Sequence, residues 1–433
     1  MALAPIVKSS WNAWVEVDTT AIRRNTEAVC AFVGAGVQVM AIVKADGYGH
    51  GAVPVARAAL AGGASCLGVA NVVEGIELRA AGIAAPVLIL GCGMPEQAAE
   101  VVEHDLAQTL ATEEMARALS DAAAAAGREV AVHIKVDTGM GRLGVRPRDA
   151  LAFARLVSTL HGLRVDGIYS HLATADHDDA TYACGQARQF QEVLAELAVG
   201  RAWHAMPLHE AAPKTPLRHL ANSAAVVRFP QMRLDLVRTG LLIYGLNPLP
   251  RALSDPSTGS GSGRPVPSLC SGQALSAIEG AESRPEIRLT PALSWKTRIA
   301  CIKSMPAGQR LSYGGLYTTK RPTRIACLPL GYADGYPRAL SNIGSVLVGG
   351  RRCPVVGAVC MDQMLVELGE VEAKAGDEVV LIGEQMGERI TANELAAAHG
   401  TVVHEIVARL GKRLPRVYLS DDASAESDHD RNG

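Results

Sequence analysis

The sequence predicts an α/β protein: an N-terminal (β/α)8 TIM-like barrel followed by a C-terminal, mainly antiparallel β domain. Three observations predict it. The first half alternates short apolar runs with Ala-rich helical stretches, and such alternation implies parallel strands joined by right-handed crossovers. Eight apolar runs can be counted, and eight strands close a barrel. Past residue 287 the rhythm changes to short β-type runs punctuated by Gly, Pro and Asp, the pattern of an antiparallel sheet. An open doubly wound sheet is the alternative for the first half.

The expected barrel strands are 37–44 (VQVMAIVK), 66–71 (CLGVAN), 87–90 (VLIL), 108–112 (QTLAT), 130–137 (VAVHIKVD), 165–172 (VDGIYSHL), 219–222 (HLAN) and 232–238 (MRLDLVR). Helical patterns between them include 52–62, 74–81, 113–127 and 184–199. The last two strands are so close that their connection must be short or irregular. Residues 249–287 are rich in Ser, Gly and Pro, cannot bury much, and read as a linker or insertion. Beyond it, strands are expected at 293–302, 324–330, 345–348, 354–360, 363–367 and 377–382, with a helix at 391–399. The domain reading is a barrel over 12–248, the linker 249–287, a β domain over 288–420 together with residues 1–11, and a flexible tail, 421–433.

Composition excludes several classes. With 42 Lys+Arg against 44 Asp+Glu the chain carries no basic surplus, so nucleic acid is not an expected partner. No run approaches 18 apolar residues, so no membrane span is expected, and the N-terminus does not read as a secretion signal. The nine Cys are odd in number and contain no CxxC pair. Reduced thiols in a cytoplasmic protein are expected, rather than a disulfide framework or a zinc ribbon.

In a barrel, chemistry gathers where strands end. The first strand ends in Lys44, within AIVKADGYGHG; the fifth in Lys135 and Asp137, within HIKVDTGMGRLG; the sixth in His171; the seventh in Asn222 and Ser223; the eighth in Arg238, followed by Gly240 and Leu241. A lysine closing an apolar strand is costly to bury as an ammonium, which lowers its pKa and frees the amine for imine chemistry. Gly47, Gly49 and Gly51 allow the backbone to approach a ligand, and Tyr48 lies among them. Asn222, Ser223, Gly240 and Leu241 can supply hydroxyl and N–H donors to an anion, and the ends of the last two strands often bind phosphate in barrels. Together with Lys44 they suggest pyridoxal phosphate. His171 with His177, Asp176, Asp178 and Asp179 fits no standard metal spacing, so no metal is expected.

AIVKADGYGHG, HIKVDTGMGRLG, NSAA, DLVRTGLLIYG, LSYGG, LPLGYADGYPR and VGAVCMDQM, in this order, resemble the pyridoxal-phosphate-dependent alanine racemases of bacteria. The resemblance extends over about residues 11–418, apart from the insertion. It implies interconversion of L- and D-alanine by a homodimer whose active site is shared between subunits, with D-alanine supplied for peptidoglycan. Lys44 matches the lysine that binds the cofactor and serves as one base. Tyr313 matches the opposite base, contributed by the partner subunit. Arg238 matches the arginine facing the pyridine nitrogen, and His171 the histidine linked to it. Tyr48, Ser223, Gly240 and Leu241 match phosphate contacts; Arg142 and Met361 match substrate-carboxylate contacts. Asn222, Tyr332 and Asp362 match supporting positions, and Lys135 a lysine carbamylated in many members. His404 stands where the family usually has a tyrosine that reaches the phosphate and narrows the substrate entrance.

Physical chemistry agrees with these roles. Racemisation removes a proton from one face of Cα and delivers one to the other, which two opposed bases do directly. Arg238 cannot accept a proton, so the pyridine nitrogen stays unprotonated and the electron sink weak, which limits side reactions such as transamination. The alternatives are a broader serine/alanine racemase, a non-catalytic pyridoxal-phosphate-binding barrel, which would lack Tyr313 and the β domain, and a decarboxylase, which would need an acid where Arg238 stands.

Overall fold

The computed structural model describes residues 11–199, 215–249 and 287–420, so nearly all of the expected linker and the whole of the expected tail lie outside the described residues. Its contacts separate into two units. One comprises Ile22–Ala45 and Val55–Thr290; the other comprises Met1–Ala21, Asp46–Pro54 and Pro291–Gly433.

The first unit is a closed barrel of eight parallel strands: Gln38–Ile42, Cys66–Val69, Val87–Ile89, Ala107–Leu110, Val130–Lys135, Leu163–Tyr169, Leu217–His219 and Leu236–Thr239. Pairing of the first with the last, from Gln38 opposite Leu236 to Ala41 opposite Thr239, closes it. The strands are short and almost wholly buried, as expected where helices cover one face and the barrel interior the other. Each fully buried Val, Leu or Ile side chain contributes about 1.5–3 kcal/mol. Helices lie at Val72–Ala80, Ala98–Glu103, Glu113–Ala126, Ala150–Thr159 and Thr181–Val199. Their ends are set by local chemistry. The Thr112 hydroxyl accepts from the Met115 N–H at 3.3 Å, and Gly127 closes that helix in the left-handed conformation.

The seventh and eighth strands depart from expectation. The seventh ends at His219, and Asn222 caps a short helix, Ser223–Arg228, by accepting from the Ala225 N–H. A 3-10 turn, Pro230–Met232, follows, so the eighth strand starts only at Leu236.

The second unit is a ten-stranded sheet. Along its path run Cys301–Met305, Thr323–Leu328, Met364–Glu367, Arg351–Val356, Ser345–Val348, Glu378–Gln385, Leu293–Arg298, Ala13–Asp18 and Arg416–Leu419, with Glu388–Ile390 paired to Glu378–Gln385. Every pairing is antiparallel except that of Ala13–Asp18 with Arg416–Leu419. The strand Ala13–Asp18 buries Trp14, Val15 and Val17 in this sheet, which puts the chain's first crossing between units at residue 21 rather than 12. The expected strand 293–302 is two strands, broken at Ile299 and Ala300, and 354–360 lies earlier, at Arg351–Val356.

Seven of the described cysteines are free thiols, whereas Cys184 is disulfide-bonded, a departure from the expectation of reduced thiols throughout. No helix among the described residues is long and apolar enough to cross a membrane, and no group of three or more His, Cys, Asp or Glu among them is placed to hold a metal.

Candidate active site

Lys44 follows the first barrel strand and opens the turn Lys44–Tyr48. Ala45, Asp46, Gly47 and Tyr48 have φ between 52° and 58°, so this turn is left-handed. Left-handed helix costs an L-residue about 1–2 kcal/mol. Local bonds hold it: the Gly51 N–H donates to the Asp46 carbonyl at 2.8 Å, and the Ala52 N–H to Asp46 Oδ1 at 3.0 Å. Glu74 fixes the lysine end, accepting from the Ala45 N–H at 2.8 Å and the Ala70 N–H at 2.7 Å. Lys44 is half-buried. Burial, and then the Arg142 charge, push its amine below the ordinary lysine range, while Glu74 opposes them.

Arg238, on the eighth strand, is 4% exposed. Its guanidinium donates to His219 Nδ1 at 3.0 Å, to His171 Nδ1 at 3.1 Å, and to the carbonyls of Ser170 and Leu220 at 2.8 and 3.0 Å. No carboxylate pairs with it among the described residues. Burial lowers its pKa to about 10, still far above neutrality. His171 and His219 are driven well below the usual histidine range by burial and by Arg238, so both rings are neutral. Tyr169 stacks on His219 at 4.5 Å, its hydroxyl bonded to Thr109 Oγ1 at 2.8 Å. Lys135 lies 4.5 Å from the Tyr169 ring centre and is 4% exposed; burial, then Arg238 and Arg142, bring it down to about 7. Asp137 accepts from the N–H groups of Gly139, Met140 and Gly141, which shapes the loop carrying Arg142. Arg142 itself is exposed and makes no ion pair among the described residues.

Ser223 and Gly240 meet directly: the Gly240 N–H donates to Ser223 Oγ at 3.0 Å. Leu241 follows in a buried turn, and its N–H donates to no described acceptor. Asn222 caps the helix Ser223–Arg228, its Oδ1 accepting from the Ala225 N–H at 3.0 Å.

In the other unit, the Tyr48 and His404 rings lie 5.7 Å apart. Tyr48 is 8% exposed, and burial pushes its phenol up to about 12; His404, on the helix Val403–Ala408, is exposed. Tyr313 starts a 3-10 turn and is 75% exposed. The preceding Ser312 adopts φ 62°, ψ −178°, a conformation that is costly outside glycine. The Ser312 hydroxyl donates to the Ala358 carbonyl at 2.8 Å. Tyr313 lines a cavity of about 330 Å³ with Ser312, Cys360, Gln363, Met364 and Leu365. Met361 and Asp362 lie beside Cys360. Arg413 bridges Asp362 at 2.7 Å and Asp334 at 2.6 Å. Tyr332 and Ala333 donate their N–H groups to the Cys360 and Met361 carbonyls.

The structure thus gathers Lys44, Lys135, His171, Asn222, Ser223, Arg238, Gly240 and Leu241 at strand ends of the barrel. In the other unit Arg413 ties Asp362 to Asp334, and backbone bonds join the Tyr332–Ala333 turn to Cys360 and Met361. His133, His219, Tyr169 and Thr109 belong to the barrel cluster but were not singled out in the sequence. A period-two run of polar residues inside apolar strands, as in His133 and Lys135, was the available signal. An aldehyde carrying a phosphate fits these residues. The half-buried amine has a lowered pKa, and Ser223 and Leu241 offer a hydroxyl and an N–H. Among the described residues, no carboxylate forms an ion pair with Lys135, Arg142 or Arg238.

A barrel with a half-buried lysine at its first strand end, followed in the chain by a mainly antiparallel β unit, is the architecture of a class of amino-acid racemases. Residues 17–248 match the family model for the alanine racemase N-terminal domain, and residues 292–418 that for the C-terminal domain. The chain is 43% identical to the alanine racemase of Symbiobacterium thermophilum, over 95% of this chain and 98% of that one. It is 40% identical to that of Halothermothrix orenii, over 94% and 96%. Among solved structures it superposes on alanine racemase from D-cycloserine-producing Streptomyces lavendulae, with a TM-score of 0.80, 36% identity and coverage of 94% and 97%. Alanine racemase from Bacillus anthracis with bound L-Ala-P gives a TM-score of 0.80, 34% identity and coverage of 96% and 97%. The chain belongs to the alanine racemase family.

Proposed function

We propose that this chain interconverts L- and D-alanine with pyridoxal phosphate as its cofactor and with Lys44 and Tyr313 as the two bases. The observation that carries the reading is Arg238: a buried cation, held by neutral histidines and carbonyls, at the place where a deaminating or decarboxylating site would need an acid. When bound, the cofactor takes up the electrons released as Cα loses its proton. Lys44 holds the aldehyde end, and its lowered pKa leaves the amine free to take a proton from one face. Tyr313 holds a proton for the opposite face. Ser223 and the Leu241 N–H, with Tyr48, would bind the phosphate, and the Gly240 N–H would join them by giving up its bond to Ser223 Oγ. Arg142 and the Met361 N–H bind the substrate carboxylate. Arg238 keeps its own proton and faces the ring nitrogen as a donor. Lys135, carbamylated, presents an anion to Arg142.

The exposure of Tyr313 supports a homodimer in which each Tyr313 serves the Lys44 of the other copy, and the interface is then isologous. The product D-alanine, made in the cytoplasm, serves cell-wall synthesis. Racemisation assayed across the common amino acids, with and without added pyridoxal phosphate, tests the activity. Borohydride should fix the cofactor on Lys44, and a peptide map placing it on another lysine would sink the assignment. Mixing Lys44→Ala with Tyr313→Phe protein tests sharing: mixed dimers carry one intact site and should regain up to about half the activity per dimer. Confirmed mixed dimers without activity would place both bases in one chain.

A further inference from the structure

We infer that His133, a residue that touches neither substrate nor cofactor in the reading above, is the positioning residue for Arg238, acting through the tautomer of His219. The inference rests on the reading that Arg238 faces the cofactor ring.

The argument begins with proton counting. A guanidinium has donors only, so His219 Nδ1, 3.0 Å from Arg238, must present a lone pair. His219 is neutral, so its one ring proton sits on Nε2. That nitrogen is 2.9 Å from His133 Nδ1, which must therefore accept. The three side chains form one directed series, from the His219 N–H to His133 and from Arg238 to His219. Neither ring can reverse its tautomer without setting two donors, or two lone pairs, against each other in a site where His219 is 0% exposed. A buried N–H without an acceptor costs about 1–3 kcal/mol.

The backbone is built for this contact. The pairing of Val130–Lys135 with Leu163–Tyr169 shifts register between Val132 and His133: Val132 faces Val165, but His133 faces Gly167. One extra residue, Asp166, is thus accommodated in the sixth strand. Such irregularities re-aim a side chain. Opposite His133 stands a residue with no side chain, and the ring occupies the space. A Cβ at Gly167 would lie 2.3 Å from His133 Nδ1 and 2.6 Å from Cε1. The imidazole thus lies over Gly167 and reaches His219, one strand further on, with ring centres 5.0 Å apart and the planes at 73°. Tyr169, stacked on His219 at 9°, closes the remaining face. Register shift and glycine set the orientation of the His133 ring, the stacked tyrosine sets that of His219, and the His219 lone pair receives Arg238.

The test uses the holoenzyme with 15N-labelled histidine rings and compares the wild type with His133→Asn, His133→Leu and Arg238→Leu. Asn places a carbonyl acceptor near the position of Nδ1; Leu fills the volume and accepts nothing. The wild type should show the His219 proton on Nε2. His133→Leu should lose that signature, shift the absorbance of the bound cofactor, and lower kcat per bound cofactor about tenfold with KM for alanine within about twofold. His133→Asn should keep the tautomer and recover kcat to within about threefold. A His219 proton on Nδ1 in the wild type would overturn the inference. So would a folded His133→Leu protein with wild-type kcat, or an Asn variant as impaired as Leu. Arg238→Leu separates the two claims. If it leaves activity and absorbance unchanged, the reading of Arg238 falls. If it abolishes them while His133→Leu does not, that reading stands and the role of His133 falls.

Discussion

Consider Lys135 in buffer stripped of carbon dioxide. Its amine is 4% exposed, faces Arg238 and Arg142, and is held near pH 7 against an ordinary value of 10.5. The folded-state pKa is depressed, so its contribution to stability is complete above about 10.5 and is lost as the pH falls toward 7. At pH 8 the unfolded chain holds the proton and the folded chain largely does not. A difference of about 2.5 units at about 1.4 kcal/mol each makes a penalty of about 3 kcal/mol. Carbamylation replaces that amine with an anion between two cations. Bicarbonate should therefore raise the melting temperature at pH 8 by several degrees, at about 2–4 °C per kcal/mol for a barrel of this size. Lys135→Met should be stabilised in stripped buffer, show no response to bicarbonate, and lose activity as Arg142 loses its partner. Scanning calorimetry reads the stability, and native mass spectrometry the added carbon dioxide. If bicarbonate neither stabilises the wild type nor adds mass, Lys135 is not carbamylated. If Lys135→Met is less stable than the wild type in stripped buffer, the buried amine is not the cost assigned to it.

Arg238→Glu should slow racemisation, produce a new long-wavelength absorption band and increase transamination; wild-type activity with an unchanged spectrum would mean that Arg238 does not face the ring. His50 and His133 are each held near pH 4 by burial, against 6.5 unfolded, so stability is intact above 6.5 and lost as the pH falls to 4, by about 3 kcal/mol for each. Urea titrations at pH 7 and 5 should show about 2 kcal/mol of that loss for each; equal midpoints would refute it. His404 sits beside Tyr48 and is exposed, and a shorter side chain at the entrance should admit a hydroxymethyl group. Measurable serine racemisation, reduced by His404→Tyr, is expected; an unchanged serine-to-alanine ratio would show that the position does not set specificity. One extra small group is discriminated by only about 1–3 kcal/mol, so the change should be modest.

The barrel was legible because its strands are short apolar runs between helices with clear caps. The places of Lys44 and Arg238 at the ends of the first and last barrel strands were legible because each follows or closes a short apolar run. His133, His219 and Tyr169 were not. A lone histidine within an apolar strand reads as a core residue, and only the register, Lys135 opposite Tyr169 and Tyr169 opposite His219, brings them together. The strand Ala13–Asp18 escaped notice for a related reason. Its partners, Leu293–Arg298 and Arg416–Leu419, lie at the far end of the chain, and nothing local announces a pairing that distant. The seventh strand was placed too late because Asn222, which looks like a strand end, is a helix cap.

The left-handed turn after Lys44 bears on when the reactive amine comes into being. Ala45, Asp46 and Tyr48 each disfavour the conformation they adopt, so this segment does not form from its own propensity. It needs Glu74 on a neighbouring helix to grip Ala45, and it needs the Gly49 carbonyl to be held by Arg416 Nε at 3.2 Å, a residue near the other end of the sequence. A nascent chain that has not yet made Arg416 lacks one of these grips. Before Arg416 is in place, the turn that orients Lys44 is held by its local bonds and Glu74 alone. The environment that lowers the Lys44 pKa is thus assembled from segments far apart in the sequence, and it exists only in the folded chain.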